Sequence, residues 1–487
     1  MAKILIIGGG MAGLSAGIYA QMAGHETVIC EQHSVAGGSL THWKRQGYHI
    51  DNCIHWLTGT NPESSLYKMW CDLGALGDVE IYKRPALFAM DFRGERMELT
   101  RNLENLFCHL AARSPRDIKE LQRLCKAIDA IQGYQGIAGK DHNKAYGNKE
   151  MALRLPAILR YFNLSVKDMA GRFHDPLIRK FFSGLMPGNF GALAWIFTAA
   201  GFFGDNADLP EGGSAAMAKR ITERYQSLGG TLLTGKQAEK IELEGNTAKA
   251  VRFTDGTRLE ADAVILTIDP ACVFGKLLDA PMPKDLAKEY SKLERFSAVH
   301  CAFSCTLAEP SVTGDVSFPL PRALHKVLGG EYLVVRNDHH ETDYTPEGRS
   351  LLQTMVYCDE ETARRYIALR STDRKAYLKE KRRMARITKK VLEAKFPDLK
   401  GTLELLDVWT PATYKRYLGT EMGSFMSFAL PKRRFPIKKS NRIPGVSNVI
   451  LAGQWLQMPG GLPIAAKTGR DAANILEELG LSGAEES

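Results

Sequence analysis

The sequence predicts an α/β fold, and three passages carry that prediction. In each, short apolar strands and helices are joined through closely spaced glycines. The first runs KILIIGGGMAGLSAGIYAQMAGHETVICE, from Lys3 to Glu31. The second leads from Leu209-Pro210-Glu211-Gly212-Gly213 through a helix and Gly229-Gly230 into a run of strands. The third is an apolar strand that ends at Leu451-Ala452-Gly453, after which Pro459-Gly460-Gly461 opens a last helix.

The first passage is the most specific. Lys3 to Ile7 is apolar and β-branched, the pattern of a buried strand. Gly8, Gly10 and Gly13 follow in G-x-G-x-x-G spacing. Leu14 to Met22 reads as a helix, and Thr27 to Cys30 as a second strand with Glu31 at its end. Each position has a physical task. Gly8 makes the tight turn, Gly10 lets the backbone approach a pyrophosphate, and Gly13 lets the helix pack close to the strand. The turn, with Met11 and Ala12 inside it, presents N–H groups at a helix N-terminus, where anions are favoured. Glu31 is placed to accept hydrogen bonds from the adenosine ribose. Strand, glycine turn, helix and acid in this order predict a Rossmann-like dinucleotide-binding unit.

A chain of 487 residues exceeds one ordinary core, so two domains are expected. Hydrophobic residues at 44% and charged residues at 24% suit a globular protein, and no apolar run is long enough to span a bilayer. Nine cysteines, an odd count, without a signal-peptide pattern, lead us to expect a reducing, cytoplasmic location. Cys301 and Cys305 lie in a strand pattern without nearby metal-ligand spacing and read as packing residues, so no metal is expected. The net charge of +9 gathers on Arg374 to Lys395 and on PKRRFPIKKSNR, Pro431 to Arg442. No nucleic-acid module accompanies it, and contact with an anionic membrane surface is the sharper expectation.

Residues from about 84 to 200 read as mainly helical. The most apolar stretch, Leu177 to Gly204, is interrupted by Pro187-Gly188-Asn189. Strands are expected at Thr231 to Thr234, Ala238 to Leu243, Ala248 to Phe253 and Ala263 to Thr267, with Asp255-Gly256 as a hairpin turn. Phe296 to Leu307, Tyr332 to Arg336 and Leu351 to Tyr357 read as the sheet of a second domain. Asp373 to Phe396 reads as a basic helix stopped by Pro397.

After Glu31 come Gly37-Gly38-Ser39 and then Ile50-Asp51-Asn52-Cys53-Ile54-His55-Trp56. With the glycine motif, the Leu-Pro-Glu-Gly-Gly passage and the C-terminal Ala-Gly and Gly-Gly-Leu-Pro, this order resembles the FAD-dependent superfamily of phytoene desaturases, carotenoid isomerases and retinol saturases, with its amine-oxidase relatives. Ser39 departs from the arginine found there in many members, and Cys53 from a glycine. The resemblance implies a discontinuous FAD-binding domain with an inserted α+β substrate domain. Its boundaries fall at 1–83, 205–292 and 441–487 for the FAD segments. A helical part of the substrate domain occupies 84–204, and a sheet-plus-helix part occupies 293–440.

The resemblance also implies site residues. Gly8, Gly10, Met11, Ala12, Gly13, Glu31, Gly38 and Ser39 would hold the nucleotide, and Ala238 would meet adenine through its backbone. Gly453 would lie by the ribityl and pyrophosphate. Gly461, Leu462 and Ile464 would aim helix N–H groups at the flavin, where reduction places negative charge. His55, near the ring system, is the candidate for proton transfer, because an ordinary histidine titrates near neutrality. Tyr414 is the second catalytic candidate and, with Gln454 and Trp455, a candidate for the substrate face. The expected activity is saturation or desaturation of carbon–carbon bonds in a lipophilic polyene or isoprenoid, with NAD(P)H as a candidate diffusible donor. Redox-neutral cis–trans isomerisation, amine oxidation in an aromatic cage of Trp455 and Tyr414, and a non-catalytic lipid carrier that keeps FAD remain rival expectations.

Overall fold

The structure, a computed structural model, describes residues 2–132, 148–338 and 340–481. Strand β1 (Lys3–Ile7) leads through the glycine turn into helix α1 (Met11–Met22) and then strand β2 (Glu26–Cys30). These strands lie inside a five-stranded parallel sheet, ordered Thr231–Leu233, β2, β1, Ala263–Leu266, Val449–Leu451. Ile6 pairs with Ile29 on one side and Ile265 on the other, and Ile265 with Ile450. All four are buried, as expected of a parallel sheet covered on both faces. Strands that meet here are separated by hundreds of residues, so the nucleotide domain is discontinuous.

The glycines set the distances. A Cβ on Gly13 would stand 1.9 Å from the Gly8 carbonyl oxygen, so only glycine lets α1 start this close to β1. A Cβ on Gly469, in the C-terminal helix Leu462–Glu478, would stand 2.3 Å from the Ala12 oxygen. The two helices are therefore in backbone contact, and Ser15 Oγ donates to Ala466 O at 2.7 Å across the seam. That contact brings both helix N-termini to one place.

The second domain carries a seven-stranded sheet. Its order is Leu403–Trp409, Ser297–Cys305, Ser350–Cys358, Tyr332–Asn337, Gly314–Pro319, Ala86–Phe92, Glu95–Thr100. All neighbours are antiparallel except Gly314–Pro319 with Ala86–Phe92. The last two strands correct the expectation of a mainly helical stretch from residue 84. ALFAMDFRGERMELT is a hairpin whose first strand is buried, and its β propensity was masked by the helical run that follows it. Cys301 and Cys305 are buried in the sheet's core. Helices Pro176–Ser183 and Ala192–Phe203 form the apolar stretch on either side of its Pro187-Gly188-Asn189 interruption. No helix among the described residues is long and apolar enough to cross a membrane.

Candidate active site

A cavity of about 690 Å³ lies where the two domains and the helix Ala192–Phe203 meet. Of the residues named from sequence, Gly8, Gly10, Met11, Ala12, Glu31, Gly38, Ser39, His55, Ala238, Gly453, Gly461, Leu462 and Ile464 line it. Gly13 sits behind the wall, where its role is the close contact with Gly8.

Two helix N-termini open on this cavity. Helix α1 starts at Gly10 and the C-terminal helix at Gly461, and neither has a side-chain cap. Their first-turn N–H groups thus remain available for an anionic or electron-rich ligand. Gln454 supports the second by accepting the Gly461 N–H at 3.1 Å through Oε1. Glu31 is buried, and its carboxylate is fixed by the N–H groups of Gly9 at 2.7 Å and His33 at 2.9 Å. Each oxygen keeps further acceptor capacity, as recognition of a ribose requires. A Cβ built on Gly10 finds its nearest neighbour, Gly38 Cα, only at 3.8 Å. The cradle is thus open at Gly10, with room there for the close approach of a ligand.

The opposite side of the cavity is built differently. Leu185, Met186, Phe190, Ala194, Phe197, Thr198, Gly201, Phe296, Tyr357, Phe425, Met426, Leu430 and Pro436 line it without a charged side chain. On the helix Ala192–Phe203 the lining positions are 194, 197, 198 and 201, one helical stripe. The charged liners, Glu31, Lys236, Glu239, Asp269, Lys276 and Lys467, come from the nucleotide domain.

His55 sits between these two surfaces, and its surroundings correct the premise that it titrates near neutrality. Burial, then the positive charge of Arg336, with His300 and Arg84 nearby, hold its pKa well below the ordinary histidine value. The ring is neutral at physiological pH. Arg336 is buried in the second sheet and donates to the Ile54 carbonyl at 3.0 Å and the Asp51 carbonyl at 3.1 Å. It also pairs with Asp338 at 3.0 Å. The Asp51 carboxylate accepts the Cys53 N–H at 3.0 Å, the Ser214 N–H at 2.6 Å and the Ser214 hydroxyl at 2.5 Å, locking the loop that carries His55 to the helix Gly213–Ser227.

Tyr414 is not on the cavity. It is buried at 4% exposure behind the wall and donates to Asn52 Oδ1 at 2.8 Å, while Trp409 Nε1 approaches the same oxygen at 2.5 Å. His300 stacks on Trp409 and meets the Tyr414 hydroxyl at 3.2 Å. Burial pushes the Tyr414 phenol well above its usual range. Tyr414 is therefore corrected from a catalytic and substrate-face candidate to part of a packed polar network. Trp455 does line the cavity, stacked on Tyr290 and edge-on to Phe428. The pair Trp455 and Tyr414 forms no aromatic cage, because Tyr414 packs against His300 and Phe425 instead.

Sequence reading missed Arg336 and Gln353. The available signal was a long polar side chain, Arg336 or Gln353, directly after an apolar run in each of two strands, YLVVRN and SLLQTMVYC. A buried arginine or glutamine in such a run needs partners, and that need marks a built site.

The family pattern described as flavin containing amine oxidoreductase matches residues 11–476. The chain belongs to that family. It is similar to a lycopene-forming phytoene desaturase of Pseudescherichia vulneris, 25% identical over 57% of this chain and 58% of that protein, so the match spans little more than half of that relative's length. A chloroplastic prolycopene isomerase of Daucus carota is 22% identical over 86% of this chain and 71% of its own. A 4,4'-diaponeurosporene oxygenase of Staphylococcus aureus is 22% identical over 97% of both. Among solved structures, an oxidoreductase from Methanosarcina mazei aligns with a TM-score of 0.65 at 17% identity, covering 98% of this chain and 100% of that one. A putrescine oxidase bound to putrescine aligns at 0.59 and 16%, covering 98% and 99%. These likenesses confirm the α/β fold. The protein is an FAD-dependent oxidoreductase of the amine oxidase superfamily.

Proposed function

We propose that this protein acts on carbon–carbon bonds of a lipophilic polyene or isoprenoid, by desaturation or saturation. One observation carries the reading: beyond the nucleotide residues, the cavity wall has no charged side chain. An ammonium substrate would need a carboxylate or an aromatic box, whereas a hydrocarbon needs only apolar area. The wall offers an ammonium no carboxylate, and its aromatics Phe190, Phe296, Tyr357 and Phe425 pack edge-on against one another, which weighs against amine oxidation. The names of the carotenoid-acting relatives point the same way.

Bound FAD would supply two-electron acceptance or donation at its ring. Gly10, Met11 and Ala12 would hold the pyrophosphate, Glu31 the ribose, and the Gly461–Ile464 turn would favour negative charge on the ring. The apolar wall orients the substrate and excludes water. His55, neutral and at the boundary, offers an imidazole hydrogen bond to the reacting region. In desaturation the substrate loses a hydride and a proton, and its two electrons leave through an acceptor such as a quinone. Saturation runs the balance in reverse, with NAD(P)H as donor. Isomerisation needs no net electron flow.

A lipid surface is the natural source of such a substrate. The basic run 431–442 gives this less support than its charge suggests. Lys432 pairs with Asp168, Arg434 and Lys439 with Glu289, Lys438 with Asp471, and Arg442 with Glu478. Better support comes from exposed Leu153, Leu155 and Leu159 on the helix Asn148–Phe162, and from Ile437 at 70% exposure. The two elements meet where Phe162 stacks on Phe435, one residue from the cavity liner Pro436. Vesicle flotation that persists at high salt is the expected result.

The deciding experiment is anaerobic. Flavin-loaded protein is mixed with an acyclic polyene in liposomes, with a quinone or with NAD(P)H, and the polyene spectrum is followed. A red shift with the quinone means desaturation, and a blue shift with NAD(P)H means saturation. A geometric change without net redox consumption supports the isomerase reading instead. A flavin that neither changes redox state nor acts on any polyene overturns the proposal and favours a carrier.

A further inference from the structure

A polar row crosses the second sheet beneath His55. Asp315, Arg336 and Gln353 are direct cross-strand partners on three adjacent strands, so their side chains emerge on one face. Arg336 is 6% exposed. Its Nη1 donates to Ile54 O at 3.0 Å and lies 3.4 Å from His55 Nδ1, and its Nη2 donates to Asp51 O at 3.1 Å. Three of its contacts therefore fall on the segment 51–55. Asp338 pairs with it at 3.0 Å, and Asp315 is itself paired with buried Arg84 at 3.2 Å.

A guanidinium in a protein only donates. His55 Nδ1, facing it, can only accept, so the proton of the neutral ring belongs on Nε2. The ring's placement agrees. His55 lines both the large cavity and a polar cleft of about 20 Å³, and Arg336, Gln353 and His300 line only the cleft. Nδ1 is thus turned toward the sheet, and the other edge of the ring bounds the large cavity. The cleft is the size of one water, and Arg336 Nε and Gln353 Oε1, which lack protein partners, are suited to hold one.

We infer that Arg336 is a positioning residue: it selects the Nε2–H tautomer of His55 and fixes the ring as a hydrogen-bond donor toward the reacting region rather than as a base. Lysine would not substitute, because one ammonium cannot span the Ile54 carbonyl, the Asp51 carbonyl and the imidazole as a planar fork does. The charged and titratable groups facing this pair are Asp51, Arg84, His300, Asp315, Asp338 and Tyr344. The inference rests on the proposed function only in naming the cavity as the reaction site.

The test is a long-range proton–nitrogen spectrum of the flavin-loaded protein labelled with nitrogen-15 histidine, His55 being assigned by its loss in His55→Gln. The expected result is an Nε2–H tautomer that does not titrate between about pH 5 and pH 8. In Arg336→Met the resonance should become a tautomer mixture, and Arg336→Lys should do the same while keeping the charge. An Nδ1–H tautomer in the wild type, or an unchanged Nε2–H tautomer in either variant, overturns the inference. If neither variant folds, the wild-type spectrum alone decides. Where a polyene is turned over, Arg336→Lys should add no more than about twofold to the loss in His55→Gln, since both act through one group. Additive losses would mean that Arg336 acts elsewhere. The spectrum needs no substrate, so a wild type inert to polyenes counts against the proposed function and not against this assignment.

Discussion

The two ends of the cavity are made of different material. At the nucleotide end the working groups are backbone: N–H groups of Gly10 to Ala12 and of Leu462 and Ile464, left available because glycine starts each helix without a side-chain cap. At the His55 end they are side chains, Arg336, Asp315, Gln353 and Asp51, collected from strands and loops far apart in sequence. A backbone site depends on the absence of side chains, so it writes a short, regular motif. A side-chain network depends on cross-strand register, so it leaves only scattered polar letters. The first should fail by steric blockage and the second by unpaired charge.

Paired glycine substitutions break that comparison hardest. Gly13→Ala would drive a Cβ into the Gly8 carbonyl and should cost about 3 kcal/mol or more, with loss of bound flavin. Gly10→Ala has room in the protein itself and should melt near the wild type while failing to retain FAD. Thermal melts beside flavin-to-protein ratios check both. Equal melting losses would mean that the glycines serve packing alone.

Next comes Asp315→Asn, which leaves Arg84 buried without its acid. A loss of about 3 kcal/mol in denaturant unfolding is expected, with FAD binding little changed. Glu31→Gln should do the reverse. FAD affinity should fall about tenfold, near 1.4 kcal/mol, with a small stability change, measured by titrating apoprotein with FAD.

Acid sharpens the comparison further. Burial holds His300 down to about 3, and His55 is also held well below its usual value. Below about pH 6.5 the unfolded chain therefore binds protons that the folded chain refuses, so stability falls as pH drops, by about 1.4 kcal/mol per pH unit for each histidine. Glu341, raised to about 7 by burial, opposes this over part of the range. His300→Gln should flatten the slope of unfolding free energy between pH 6 and pH 4 by about one histidine's worth. The smallest effect belongs to Gly201→Ala. A Cβ there meets nothing and faces the cavity, so stability should rise by up to about 1 kcal/mol from helix propensity. Gly201→Leu should narrow the cavity and discriminate against bulky polyenes in competition assays.

Legibility followed the same division. β1, α1, β2 and Glu31 were readable because glycine spacing, strand apolarity and a terminal acid are local properties. His55 was readable as a candidate only through its loop, and its neutral state was not, because the cause is Arg336, 281 residues away along the chain. Tyr414 was misplaced for a related reason. A tyrosine after Thr-Pro gives no sign of which way it faces until Asn52 and Trp409 close around it.

The sequence by itself determined β1, α1 and β2, the glycine turn that joins the first two, and the acid at the end of β2. Those features depend on residues in contact with their chain neighbours, where backbone geometry leaves few alternatives. Tertiary structure alone decided that both helix N-termini reach one cavity, that its far wall carries no charge, and that an arginine sets the state of His55. Those properties arise from helix contact at Gly469 and from strand register across the second sheet, and chain-distant contacts of that kind leave no local pattern to read.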